Sequence, residues 1–252
     1  MSTLSTQKTV VVFGATSAIA QETCRLHAPH AIRFVLCARD STKLDIVASD
    51  IRSRGEATIS THVVDFSDPS NYANLFELIK KENDAIDIWY FFHGNLPEQK
   101  KCEASLSHAK AALQTNVLSI LDLLHPVAND LEKQKSGTLV VVSSVAGDRG
   151  RASNYMYGTA KGALSIYLQG LRNRLAVHGI TVLDVKPGFV KTPMTAHLDN
   201  SGFLWASPDA IAADIVAAVK KKSDVIYTPG YWRLIMFVIR AVPEKIFKRL
   251  SL

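Results

Sequence analysis

The feature that most restricts how this chain can fold is its alternation of short, unbroken apolar runs with helical stretches. Residues 9–13 read Thr-Val-Val-Val-Phe. Comparable runs follow at Phe34–Ala38, Ile86–Phe92, Gly137–Ser143 and Ile180–Val185, with a last short one at Val225–Tyr227, and Thr61–Val64 leads a further strand, the third in order, into Asp65. Runs that are apolar at consecutive rather than alternate positions suit strands buried on both faces. Between them lie stretches of helical character: from Ser17 to about His27, then Leu44–Arg54, Asn71–Lys81, Leu106–Leu124, Tyr157–His178 and Asp209–Lys222. Gly55 is placed to end the second of these. Strand–helix–strand units close as right-handed crossovers, so the pattern predicts a parallel sheet of about seven strands, doubly wound, with helices on both faces.

There is no repeat, no low-complexity linker and no internal boundary. Residues 1–226 are therefore expected to form a single-domain α/β fold of Rossmann type, and residues 227–252 a basic amphipathic extension of it. The 252 residues are 47% hydrophobic, enough for one large core. The three cysteines, Cys24, Cys37 and Cys102, are widely separated and form no CxxC. That argues against a disulfide framework or a metal site and for a reducing, cytoplasmic compartment. The N-terminus lacks a charged segment followed by an apolar run and a cleavage site, so no signal peptide is expected. Of the net charge of +6, most sits in the last 26 residues, where Arg233, Arg240, Lys245, Lys248 and Arg249 face only Glu244. The body is nearly balanced, which excludes a broad nucleic-acid footprint.

The turn after the first run carries a cofactor signal. It reads Phe13-Gly14-Ala15-Thr16-Ser17-Ala18-Ile19-Ala20. A buried strand passing through small residues into a helix start offers free N–H groups and a positive dipole end to a pyrophosphate. Gly14, Thr16, Ser17, Ala18 and Ile19 are the candidate binders, although a plain strand-to-helix turn could use the same residues. At the end of the second strand an acid reads the ribose hydroxyl of NAD, whereas an arginine accommodates the extra phosphate of NADP. Arg39 holds that place, followed by Asp40, so NADP(H) is the expected cofactor.

The strongest signal is catalytic. Ser144 closes the fifth predicted strand, and Tyr157 and Lys161 follow at i and i+4 of a predicted helix, on one face. An unperturbed phenol titrates near 10, and a neighbouring ammonium favours its ionised form, so the pair suits general acid/base work. Ser144 can stabilise charge that develops on a substrate oxygen.

On these residues the chain resembles the short-chain dehydrogenase/reductase family over nearly its whole length. The resemblance implies that Asp65 contacts the adenine end, and that Asn116 joins a water-linked proton relay with Lys161. Pro187, Gly188, Val190 and Thr192 would hold the nicotinamide carboxamide, and Gly94 would line the cofactor. It implies hydride transfer between NADP(H) and a ketone or secondary alcohol, with Tyr157 as proton donor, Ser144 polarising the oxygen and Lys161 on the nicotinamide ribose. It also implies a homodimer or homotetramer. The chain departs from the family at Phe91-Phe92-His93-Gly94, where Asn-Asn-Ala-Gly is usual, and in the first turn, where Phe13 replaces threonine and alanines replace two glycines.

Two segments bear on the substrate. The loop Gly147–Asn154 is polar, and Arg149, Arg151 and Asn154 are candidate contacts for a phosphate or sugar phosphate; a solvated loop would have the same composition. In the tail, the apolar run Leu234–Ile239 is far shorter than the ~20 residues that span a bilayer. Its mixture with cations suits a membrane interface, and packing on the body or a partner subunit would use the same residues. Pro243 is expected to separate two short helices. The Ser143–Lys161 stretch, with Ala146-Gly147-Asp148-Arg149, and the Trp232-Arg233 tail are similar to the branch of bacterial reductases that includes decaprenylphosphoryl-erythro-pentofuranosid-2-ulose reductase. That resemblance implies a 2-keto sugar on a polyprenyl phosphate, a partner oxidase, and a place at the inner face of the membrane. A soluble 3-oxoacyl or general carbonyl reductase would keep the same chemistry. A non-catalytic NADP-sensing or scaffold protein would keep the fold but would not need all four of Asn116, Ser144, Tyr157 and Lys161.

Overall fold

The computed structural model describes residues 7–30, 32–199 and 201–250. The first six residues, on which the expectation about a signal peptide partly rests, and the last two of the tail lie outside the described residues. Among the described residues nine strands follow in chain order: β1 (Thr9–Phe13), β2 (Arg33–Ala38), β3 (Thr58–Val63), β4 (Ile88–Phe91), β5 (Thr138–Val142), β6 (Thr181–Pro187), β7 (Phe189–Val190), β8 (Trp205–Ala206) and β9 (Val225–Thr228). Seven of them form one sheet in the order β3-β2-β1-β4-β5-β6-β9, every pair parallel. The order reverses between β1 and β4, and ligands of such sheets bind beyond the carboxyl ends of the strands at that point. The short β7 and β8 pair separately.

The helices are α1 (Ala18–His27), α2 (Ser41–Arg52), α3 (Tyr72–Glu82), α4 (Gln99–Ala104), α5 (Leu106–Leu113), α6 (Ser119–Gln134), α7 (Tyr155–Ala176), α8 (Pro208–Lys220), α9 (Trp232–Ala241) and α10 (Glu244–Phe247). Alternate side chains of each strand enter opposite cores, as the pleat requires. Val11, Phe13, Trp89 and Phe91 pack with Ile79, Leu124, Leu131 and Leu168 from α3, α6 and α7. Val10, Val12, Phe34 and Tyr90 pack with Ile19, Leu44, Ile51 and Ile215 from α1, α2 and α8. This is the doubly wound single domain that the apolar runs predict.

The differences from expectation have local causes. The helix predicted to stop at Leu124 continues to Gln134 through Pro126, after a single π-helical turn at Gln114–Leu118. Proline removes one helical hydrogen bond, but Ile120, Leu123, Leu124, Val127, Ala128 and Leu131 are all buried along one stripe, and that burial dominates. α4 is polar and short, and no periodicity marks it. Gly55 does not cap α2: the helix ends at Arg52 with Ser53 as cap. A Cβ at Gly55 would instead stand 2.3 Å from the Ala28 carbonyl oxygen, so this glycine serves a close backbone crossing. β3 begins at Thr58, earlier than predicted, because the whole of β2 pairs with it from Arg33 to Ala38.

Candidate active site

A cleft of about 470 Å³ lies at the carboxyl ends of β1 and β4, and every predicted cofactor and catalytic residue lines it. A larger groove of about 640 Å³ between α3, α6 and α7 carries none of them.

At the nucleotide end, Gly14 adopts a φ of +79° and donates its N–H to the Cys37 carbonyl. A Cβ there would lie 2.6 Å from the backbone nitrogen of His93, so only glycine permits this turn. Ser17 is the N-cap of α1 but makes no side-chain capping bond. The first-turn N–H groups of α1 and the Ser17 hydroxyl therefore remain available to a phosphate. Arg39 is exposed at the cleft edge. Asp40 is committed elsewhere: its carboxylate accepts from the Lys43 N–H at 3.0 Å as the N-cap of α2 and pairs with the Lys43 ammonium at 3.4 Å. Asp65 faces the same end, and its carboxylate accepts from the Ser67 N–H and hydroxyl, bonds that hold its pKa below the ordinary value. These donors fit a dinucleotide.

The other end is built from buried side chains. Lys161 is 4% exposed and donates to the Val142 carbonyl at 2.8 Å. Burial pushes its pKa down to about 8, against the pull of Asp184. Tyr157 and Lys161 share a face of α7, with the ammonium 5.8 Å from the ring centre. Crowding around the phenol raises the Tyr157 pKa to about 12, although the ring remains partly accessible, and the hydrogen bond with Ser144 draws it back in part. The expected lowering of Tyr157 by Lys161 is thus not what governs it: burial dominates, and Ser144 supplies the opposing effect. Ser144 Oγ accepts from the Ala146 N–H at 3.1 Å, so its hydrogen is free to be donated.

Asn116 sits in the π-helical turn, fully buried, and such turns often mark functional positions. Its Nδ2 donates to the Ala112 carbonyl and to Asn95 Oδ1, while its Oδ1 accepts from the Asn95 N–H. No bond joins it directly to Lys161, but a Cβ at Gly94 would lie 2.8 Å from Asn116 Oδ1 and 3.6 Å from Lys161 Nζ, which places the three together. Asn95 is a participant that sequence reading missed, as is His93. The His93 ring stacks on Phe66 at 4.0 Å and shares a hydrogen bond with Ser119 at 3.1 Å. Burial and then Lys161 push its pKa to about 3, so it is neutral.

Beneath Ser144, Ser143 donates to the buried Asp184 carboxylate. Lys186 bridges to Asp148 at 2.5 Å, and the Tyr227 hydroxyl donates to the same carboxylate at 2.7 Å. This network anchors the start of the 147–154 loop to β6 and β9. None of the three predicted substrate contacts lines the cleft, and one of them is engaged elsewhere. Arg149 points to the tail: its guanidinium donates to the Ile239, Arg240 and Val242 carbonyls, pairs with Glu244 at 3.0 Å and lies 3.7 Å over the Phe247 ring. It satisfies the open carbonyls at the end of α9, where a cation is favoured. Arg151 and Asn154 differ, for Arg151 Nε and Asn154 Oδ1 are buried without a partner among the described residues. Val190 and Thr192 are set by the β7–β8 ladder and by Thr195, which donates to the Val190 carbonyl at 2.6 Å. Trp232 roofs Gly188 so closely that a Cβ there would be 1.9 Å from its indole nitrogen.

A parallel sheet whose switch-point cleft joins an open helix N-terminus to a Ser–Tyr–Lys cluster defines a dinucleotide-dependent oxidoreductase. The chain belongs to the short-chain dehydrogenase family, whose profile matches residues 8–201. It is 31% identical over 241 residues to an uncharacterized oxidoreductase of Mycobacterium tuberculosis, covering 96% of each chain. It is 32% identical over 244 residues to one of Streptomyces coelicolor, again covering 96% of each. Among solved structures, a short-chain dehydrogenase from Sphingobium yanoikuyae in complex with NADPH superposes with a TM-score of 0.82 at 21% identity, over 94% of this chain and 97% of that one. Actinorhodin polyketide ketoreductase with NADPH superposes at 0.78 and 20% identity, over 89% and 97%. At these identities the structures speak to the fold.

Proposed function

We propose that this oxidoreductase is an NADP(H)-dependent ketone reductase, and that its substrate is a keto sugar carried on a polyprenyl phosphate. The observation that carries the chemistry is the Ser144–Tyr157–Lys161 cluster, with the phenol held protonated and in contact with Ser144. The cleft would hold NADPH, which would supply the hydride for reduction of a carbonyl carbon. Tyr157 gives its proton to the carbonyl oxygen. Ser144, whose hydroxyl bonds the phenol and accepts from the Ala146 N–H, orients and polarises that oxygen. Lys161 holds its cation beside the phenol, where it would also bind the nicotinamide ribose, and Asn116 fixes the Gly94–Asn95 wall from which a water would restore the tyrosine proton.

The reading of NADP over NAD rests on Arg39 standing free at the cleft edge while Asp40 is spent on capping α2. The NADPH in the two related structures agrees with it. The reading of an anionic sugar substrate rests on Arg151 and Asn154, which keep unpartnered polar atoms in the loop between Ser144 and Tyr157. A 2-keto sugar would have to be supplied by an oxidase.

Fluorescence titration of NADPH and NADH on the wild type and Arg39→Ala tests the cofactor. NADPH should bind about tenfold tighter or more, and the preference should collapse in the variant. Equal affinities in the wild type remove the assignment. For the substrate, Arg151→Ala should raise KM for a phosphorylated keto sugar and leave KM for a neutral ketone unchanged. Equal effects on both would make this a general carbonyl reductase.

A further inference from the structure

α9 is apolar on two faces. Trp232 and Met236, with the partly buried Ile235 and Ile239, pack inward against Val145, Phe189, Leu204 and Tyr227. On the opposite side Leu234, Phe237 and Val238 are 68%, 72% and 55% exposed, and Ala241 continues the stripe at i, i+3, i+4 and i+7. A helix that merely covers a core carries polar residues there. Ile246, in α10, is an exposed apolar residue as well. Arg233 and Arg240 run along one flank of the stripe, and Lys245, Lys248 and Arg249 follow in and after α10, all exposed. The one nearby acid, Glu244, is bonded to Arg149, and none of the five cations has an acidic partner among the described residues.

We propose that α9 and α10 form a docking surface for an anionic lipid bilayer, lying in its plane and holding the catalytic cleft at the membrane. The apolar stripe would enter the boundary between headgroups and acyl chains, and the cations would meet lipid phosphates. The ten residues of α9 span ~15 Å, half the hydrocarbon thickness, and no described helix is long and apolar enough to cross. A second copy of the chain is the poorer occupant. A two-fold contact would set the same face against itself, cations opposite cations with no acid between them. Docking would also reach the site, because Trp232 roofs Gly188 and Arg149 ties α9 to the loop after Ser144. The proposal does not depend on the substrate assigned above.

The test is co-sedimentation of the full chain with vesicles of phosphatidylcholine alone or mixed with phosphatidylglycerol. The wild type should sediment only with the anionic vesicles, less so as salt rises and screens the cations. Leu234→Gln/Phe237→Gln/Val238→Gln should weaken binding about tenfold or more, as should Arg233→Gln/Arg240→Gln/Lys245→Gln. Unchanged melting temperature in both variants shows that the fold is intact. Absence of wild-type binding, equal binding to both vesicle types, or wild-type binding by the apolar variant overturns the proposal. So does a fall in oligomer size of that variant in sedimentation velocity, which would make a second copy the occupant. Failure of NADPH to bind would strike the proposed function and leave the vesicle result standing.

Discussion

The two ends of the cleft are made of different material. The nucleotide end consists of backbone, small side chains and an arginine at the rim; its essential features are a left-handed glycine and an uncapped helix start. The catalytic end consists of side chains taken out of water: Lys161, Asn116, Asp184 and Lys186 are each under 9% exposed. The first end binds through groups that any strand-to-helix turn possesses, so its sequence can drift, as the alanines at 18 and 20 show. The second carries a standing cost, because burying a cation is unfavourable unless it is well compensated. Binding and catalysis are therefore expected to separate under mutation.

The largest expected effect is Tyr157→Phe, which should lower kcat for ketone reduction about 10²–10⁴-fold while NADPH affinity stays within about twofold. A matching loss of affinity would mean that the two ends do not act separately. Next comes the pH profile. With Tyr157 near 12 and Lys161 near 8, the cation is present below about pH 8 and lost above it, so the alkaline limb of kcat/KM should follow Lys161. The same shift acts on stability. The folded state releases the lysine proton more readily than the unfolded chain, so the wild type should gain stability relative to a variant without this lysine as pH rises from about 8 to 10.5, while the buried Cys24 and Cys37 thiols, pushed up by burial, act in the opposite direction in both proteins. Lys161→Met should lower kcat by less than Tyr157→Phe does, yet raise Tm by about 2–6 °C below pH 8, an advantage over the wild type that should shrink as pH rises toward 10.5. Gly94→Ala should cost about 1–3 kcal/mol in urea unfolding, because φ is +154° and its Cβ meets Asn116, whose amide is fixed by three bonds. The smallest effect sharpens the cofactor assignment: Asp40→Ala should lower Tm by about 2–4 °C through loss of the α2 cap and leave the NADPH preference unchanged.

The centre of the sheet was legible because burial on both faces writes itself as unbroken apolar runs, whereas the edge strand β3, half exposed and polar, was predicted three residues short. The catalytic set was legible because i and i+4 on a helix fix a shared face. Helix ends were less so, since the stripe from Ile120 to Leu131 outweighs a proline that reads locally as a stop. Arg149 and Arg151, two residues apart in a polar loop, are alike in sequence. One turns to the tail and the other does not, and that choice depends on carbonyls some ninety residues away. His93 and Asn95 carried no signal of their own beyond standing around Gly94, for their roles come from Phe66, Ser119 and Asn116, which only the folded chain brings near.

Arg149 has a practical consequence. Through its bonds to the end of α9 and the Phe247 ring, the carboxyl terminus is stapled to the segment that follows the catalytic serine. A truncation that removes α10 would take away Glu244 and the Phe247 ring, and with them half of the staple that holds the loop after Ser144.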